Sequence, residues 1–153
     1  MDQNKKELAV AALENGTVID HIPSSSLFKV VKLLGIENIS SSVTIGNNLG
    51  SKKLGTKGIL KLANVYFPEA TLNRVALIAP NVKVNIIKDY KVDKKFQVTL
   101  PDEIHGLVRC NNPKCITNNE PMQTHFHVED KENVLLRCHY CERTVSKDEI
   151  ELI

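Results

Sequence analysis

Four cysteines in the last third of the chain, Cys110, Cys115, Cys138 and Cys141, form a C-x4-C-x22-C-x2-C array. Two short loops each carry a thiolate pair, and the 22-residue connection is long enough for a hairpin that brings the pairs together. That spacing predicts a closed tetrathiolate site for one structural Zn2+. With sulfur at all four tetrahedral positions, no coordination site remains for water or substrate. Disulfides are the competing use of these cysteines and belong to oxidising compartments. The N-terminal MDQNKKELAV has no long apolar core after its lysines, and no window approaches about 18 uninterrupted apolar residues. Neither a signal peptide nor a membrane span is expected, and a cytoplasmic chain would keep its thiols reduced for a metal.

Other reactive constellations are missing from the sequence. It shows no nucleophile elbow, no paired carboxylates in a recognisable motif and no open metal site, so an enzyme is not expected. Gly50 to Lys57, GSKKLGTK, superficially resembles a phosphate loop, but it lacks the Gly-Lys-Ser/Thr ending and no helix pattern follows it.

Charge divides the chain near Pro101. Residues 1–100 hold 14 Lys and Arg against 8 Asp and Glu, whereas residues 101–153 hold 6 against 10. A basic first half suits an anion such as a polyphosphate, with chance variation of solvated surface as the alternative. An acidic zinc module weighs against a zinc ribbon that binds nucleic acid, the rival function, because phosphate neutralisation dominates such binding.

The elements that must position these groups follow from periodicity. Thr17 to Ile22 is β-branched and predicts a strand, ended by Pro23 and the serines 24 to 26. Leu27, Phe28, Val30, Val31, Leu33 and Leu34 give a helical apolar face closed by Gly35. Ser42 to Ile45 predicts a second strand, Asn47 to Gly58 a Gly- and Lys-rich loop, and Ile59 to Phe67 a third strand. Pro68 opens a second helix buried through Leu72, Val75, Ala76, Ile78 and Ala79, and Val82, Val84 and Ile86 alternate as a last strand. The fold class is α+β: a ferredoxin-like β-α-β-β-α-β sandwich over residues 1–100, with helices on one sheet face and the other left for a partner. Glu7 to Leu13 fits helix by composition but could be extended. Residues 101–153 form a small all-β zinc-ribbon domain, with short strands at Gly106 to Arg109, His125 to Val128 and Asn133 to Arg137. A module of about 50 residues has little core, so the metal must supply folding free energy.

Taken together, GTVIDHIP at Gly16 to Pro23, VTIG at Val43 to Gly46, ILKLAN around Lys61, VN-x4-Y-x-V from Val84 to Val92 and CHYCE at Cys138 to Glu142 resemble the regulatory chain of aspartate carbamoyltransferase. The resemblance runs from the N-terminal tail to the last cysteine pair. It implies a non-catalytic subunit of a pyrimidine-biosynthetic enzyme, whose first domain binds CTP as inhibitor and ATP as activator and whose zinc domain docks on the catalytic chain. It also implies pairing of regulatory chains through their nucleotide domains, with no nucleic acid and no membrane as partner.

Residue by residue, the resemblance places Asp20 on the ribose and His21 near the phosphates, against a plain reading of the two as a buried hydrogen-bonded pair. Lys61 and Lys95 would bind triphosphate oxygens as point charges, although lone lysines are ordinarily only solvated. Asn85, Tyr90 and Val92 resemble ribose and base contacts. Val10, Ala11, Ala12, Leu13, Val18 and Ile87 would shape the base pocket. Asn112, Tyr140, Glu142 and Arg143 are the expected docking residues. The chain departs from the family pattern at Glu7, where a lysine is usual, at Ile86-Ile87-Lys88-Asp89, and at Lys114 in the first knuckle.

Overall fold

The computed structural model describes residues 13–52 and 54–153. Val10, Ala11, Ala12 and the stretch from Glu7 to Ala12 lie outside the described residues. The chain divides into two compact units, Met1–Val98 and Thr99–Ile153.

The first unit is built on a five-stranded antiparallel sheet. Its strands are β1 (Gly16–Pro23), β2 (Val43–Ser51), β3 (Gly55–Ala63), β4 (Lys83–Lys88) and β5 (Lys91–Gln97), in the order β2-β3-β1-β4-β5. The first four reproduce the split β-α-β-β-α-β order, with β1 held between β3 and β4. A central strand has both faces covered, which is why GTVIDHIP is β-branched where buried and loses exposure at Thr17, Val18 and Ile19 alike.

Cross-strand register sorts the side chains onto two faces. Ile19 lies opposite Leu60 and Val84, and all three are fully buried. Helix α1 (Leu27–Leu33) lies on that side, because a Cβ on Gly58 would meet Leu27 Cδ1 at 2.8 Å. The helix buries Leu27 and Val30, with Leu34 following, and Gly35 closes it in the left-handed conformation at φ 63°. Phe28 is a correction to the expected apolar face: it is 66% exposed. Helix α2 (Glu69–Asn73) is a single turn that tightens into a 3-10 turn over Arg74–Leu77. Leu72, Val75, Ala76, Ile78 and Ala79 are buried as expected.

Three expectations differ from the structure. The Gly- and Lys-rich Asn47 to Gly58 is largely hairpin, since β2 runs on to Ser51 and β3 begins at Gly55. Asn48, at φ 58°, provides the bulge that carries pairing past Gly46. The third strand ends at Ala63, so Val65 and Phe67 lie beyond it. Val82 to Ile86 is not the last strand: β5 follows it, exposed along most of its length. Lys91, Lys94 and Lys95 keep this edge solvated and discourage pairing with another chain, which is also why its sequence does not read as a strand.

Gly16 is one position where only glycine fits. Its φ is 144°, and an added Cβ would lie 2.0 Å from the Leu62 carbonyl oxygen. Gly16→Ala is expected to cost about 1–3 kcal/mol in backbone strain alone, read as a lowered urea midpoint with unchanged slope.

The second unit is a four-stranded antiparallel sheet in sequence order, β6 (Glu103–His105), β7 (His125–Asp130), β8 (Leu135–Cys138) and β9 (Thr144–Ser146). Its first strand falls earlier than the expected Gly106 to Arg109, where Gly106 turns the chain at φ 71° and Val108 makes only an isolated bridge to Leu152. Ile104, Phe126, Leu136 and Val145 are buried on one face beside the cysteines. β9 is held by the capping box that follows it, in which the Glu149 carboxylate accepts from the Ser146 amide at 3.0 Å and hydroxyl at 2.8 Å.

Candidate functional site

Two loops build the thiolate cage. In the first, the Cys115 amide donates to the Asn112 carbonyl at 2.9 Å, and Asn118 Nδ2 donates to the carbonyls of Cys110 at 2.9 Å and Asn112 at 2.8 Å. In the second, the Glu142 amide donates to the Cys138 carbonyl at 3.0 Å and the Cys138 amide to the Arg143 carbonyl at 2.9 Å. Glu142 holds the left-handed conformation, φ 64°, that folds this loop back on itself.

The four sulfurs lie within 4.8 Å of one another. Cys110 Sγ is 3.6 Å from Cys141 Sγ, and Cys115 Sγ is 3.8 Å from Cys138 Sγ. A tetrahedral zinc with bonds of about 2.3 Å separates its sulfurs by about 3.8 Å. The donor set therefore fits one Zn2+ with little rearrangement. Burial pushes the Cys110 and Cys138 thiols above their ordinary range. At Cys141 burial also raises the pKa, but the Arg143 amide, the Asn112 side chain and the adjacent thiols outweigh it and bring the thiol down to about 7. One ligand ionises readily, and the others give up their protons to the incoming cation.

Of the expected docking residues, Tyr140, Glu142 and Arg143 are exposed together on the second loop. Asn112 is half-buried, and its side chain serves the cage, accepting from the Lys114 amide at 3.1 Å and bonding Cys141.

In the first unit, the sheet face opposite α1 gathers most of the remaining candidates. Val18 lies opposite Lys61 on β3 and Asn85 on β4, and Asn85 lies opposite Lys95 on β5, so the four form one cross-strand row. Lys95 thus sits within a strand rather than after the last one. Val92 faces Ile87, and a register shift between Ile86 and Ile87 puts Val92 and Lys95 on the same face despite their odd spacing. Val18, Ile59 and Ile87 form a small apolar cluster with Leu13 and Leu49 against it.

Lys61 is the unusual member of the row. It is 5% exposed, burial lowers its pKa, and among the described residues no carboxylate pairs with it. Asp20 does have a partner: its carboxylate meets Lys57 Nζ at 2.9 Å and accepts from the His21 amide at 2.6 Å. Strand alternation does not hold there, because His21 has φ 62° within a bulge of β1 and its ring nitrogen stays 3.6 Å from Asp20. Asp20 and His21 are both half-buried, intermediate between a ligand pair and a core pair. Lys57 was missed in the sequence because its segment reads as loop.

Tyr90 is 69% exposed at the β4–β5 turn. Asp89 and Tyr90 both have positive φ, 52° and 65°, and the turn is tied down by the Tyr90 amide on the Glu14 carbonyl at 2.9 Å and the Asp89 amide on Asn15 Oδ1 at 3.2 Å.

A split β-α-β-β-α-β sheet with a cation-bearing face, followed by a closed thiolate cage, defines a chain of two units whose second is built to hold a metal. Comparison with known proteins agrees in both halves. Residues 8–99 match the family described as aspartate carbamoyltransferase regulatory chain, allosteric domain, and residues 102–151 match its metal binding domain. The chain is 61% identical over 148 residues to the aspartate carbamoyltransferase regulatory chain of Parabacteroides distasonis, covering 97% of this chain and 96% of the relative. It is 58% identical to that of Bacteroides thetaiotaomicron over the full length of both, and 47% identical to that of Thermococcus kodakarensis over 95% of this chain and 96% of the relative. The chain belongs to the aspartate carbamoyltransferase regulatory chain family, and it is a regulatory subunit rather than an enzyme. No helix among the described residues is long and apolar enough to cross a membrane.

Proposed function

We propose that residues 1–100 bind CTP and ATP as allosteric effectors on the sheet face opposite α1, and that residues 101–153 dock on the catalytic chain of aspartate carbamoyltransferase, in the cytoplasm. The observation that carries this reading is Lys61. A buried ammonium without a carboxylate partner among the described residues is costly unless an anion completes it, and triphosphate oxygens would do so. Lys95 in the same row supplies a second positive charge. Val18, Ile87 and Val92 offer an apolar wall for a base, and Asn85 lies between Val18 and Lys95 as a ribose partner. Asp20, His21, Tyr90 and Leu13 stand around this row, and Val10, Ala11 and Ala12 are proposed to complete the base pocket.

Each effector acts only through its differential affinity for two quaternary states. In this reading regulatory chains pair through their first domains, and Asn112, Tyr140, Glu142 and Arg143 contact the catalytic chain. Calorimetric titration of CTP, then of ATP in competition, into the zinc-loaded chain tests the site. Aspartate saturation of the enzyme reconstituted with catalytic chains tests the coupling. Competition at one site and a shifted half-saturation are expected; unchanged half-saturation with either nucleotide would sink the allosteric role. Nucleic acid is not a partner in this reading, so the chain should show no RNA or DNA binding that falls steeply with salt.

Glu142 separates docking from stability. Glu142→Gly relieves a left-handed backbone and should stabilise the second unit by about 1 kcal/mol. The same change removes the docking carboxylate and should weaken association with catalytic trimers. A rise in the thermal midpoint with undiminished association would remove Glu142 from the interface.

A further inference from the structure

Four of the five histidines of the chain converge on the exposed face of the second sheet. Glu103 and His105 alternate on β6, His125 and His127 on β7, and the register places Glu103 opposite His127 and His105 opposite His125. Ile104 and Phe126, the residues between them, point into the core. His139 follows β8, tied by its amide to the His125 carbonyl at 2.9 Å. The rings pack closely, with centroids 4.1 Å apart for His105 and His125 and 4.3 Å apart for His125 and His139.

We propose that this face is a second metal site, for a divalent first-row transition ion, held by His127 and His139 with His125 as third donor and Glu103 orienting His127. His127 Nε2 faces His139 Nδ1 at 2.9 Å, so the two nitrogens already converge on one position where an ion can sit. The other nitrogen of His127 lies 3.4 Å from Glu103 Oε1. A carboxylate on one imidazole nitrogen fixes the tautomer and leaves the opposite lone pair for a metal. One nitrogen from each of His125, His127 and His139 lies within 4.8 Å of the others, and tetrahedral ligands at about 2.0–2.1 Å need nitrogens about 3.3 Å apart. A turn of the His125 ring out of its stack closes that difference. His125 Nε2 rests 3.2 Å from the same Glu103 oxygen.

Arg137 lies opposite His127 on β8, and its charge is engaged by Glu129. The donor set differs from the thiolate cage in kind: imidazole nitrogens suit Zn2+, Ni2+ or Cu2+, and not the oxygen-seeking Mg2+ or Ca2+. His139 is exposed, so open positions on the ion would face water.

The test is calorimetric titration of Ni2+ into the full-length, zinc-loaded chain, with zinc content measured before and after. One further equivalent should bind saturably while zinc stays at one per chain. His127→Gln should abolish that uptake, and Glu103→Gln should weaken it about 10- to 100-fold, both with zinc and fold intact. Absence of saturable uptake, entry of Ni2+ only by displacing zinc, or uptake undiminished in both variants would overturn the proposal. These outcomes are independent of nucleotide binding.

Discussion

Cys115→Ala is expected to unfold the Thr99–Ile153 unit while leaving the first unit intact. Cys115 is 2% exposed, contacts Cys138 Sγ at 3.8 Å and Thr117 Oγ1 at 3.2 Å, and its amide anchors the first loop. Removing one of four thiolates opens a position on the ion and weakens its hold, so the buried Cys110 and Cys138 thiols, one on each loop, lose the cation that offset their burial. The sheet they support is small. Its fully buried large side chains are Phe126 and Leu136, with Val108, Val134 and Val145 beside them. A unit of about 55 residues with that core is marginal without a staple, and structural zinc contributes on the order of 10 kcal/mol. Loss of dispersed amide resonances from residues 99–153 is expected in the variant and equally on chelation of the wild type. Native dispersion after either treatment would mean that the hydrophobic core suffices. Calorimetric CTP binding by the variant should persist, because the first unit has its own sheet and core.

Lys61→Met should weaken CTP binding by about 1.5–3 kcal/mol, the range for hydrogen bonds to charged groups, or more than tenfold in affinity. Methionine keeps the unbranched stem and deletes the charge, so the apolar packing of the row is retained. In the free chain the same change should raise stability at neutral pH, since the ammonium is buried without a carboxylate partner among the described residues. The sign follows from proton binding. Burial lowers the folded pKa of Lys61 below its ordinary 10.5, so between the two values the unfolded chain holds more protons. Stability contributed by this residue therefore rises with pH across that window, and the penalty is fully present below it. The Met variant should lack the alkaline rise. Wild-type CTP affinity in Lys61→Met would return the residue to a solvated role, and an unaltered pH profile would show that its burial costs nothing.

The features legible in the sequence were those set by strong local constraints. The cysteine spacing defines the cage because few other structures use four thiols that way, and GTVIDHIP announces a central strand because both its faces are buried. The α2 segment was read from Leu72, Val75 and Ala76, whose burial needs no knowledge of distant residues. β5 was missed for the opposite reason: KVDKKFQ buries almost nothing, so its extended form comes from hydrogen bonding to β4 and leaves no apolar period. The β2–β3 hairpin hid behind glycines and lysines in the same way, and with it the Lys57 partner of Asp20. Phe28 was assigned to the core from its position on the helix, yet a seven-residue helix presents only a narrow face to a sheet. Glu103, His105, His125 and His127 were not singled out in the sequence, because only strand register shows that they meet.

The strand order bears on how the chain must be made. β1 emerges first, yet both of its neighbours come later: Gly16 pairs with Ala63 on one side and with Ile87 on the other. At about 5–20 residues per second, the ribosome takes roughly 4–14 s to deliver the second neighbour after the first residue of β1. Val18, Ile19 and Ile22 have no sheet to enter until β3 has been made, and β1 then keeps one edge open until β4 follows. The sheet therefore closes from its middle only when synthesis has passed β4, making the first unit dependent on nearly its whole length before any part of it is secure.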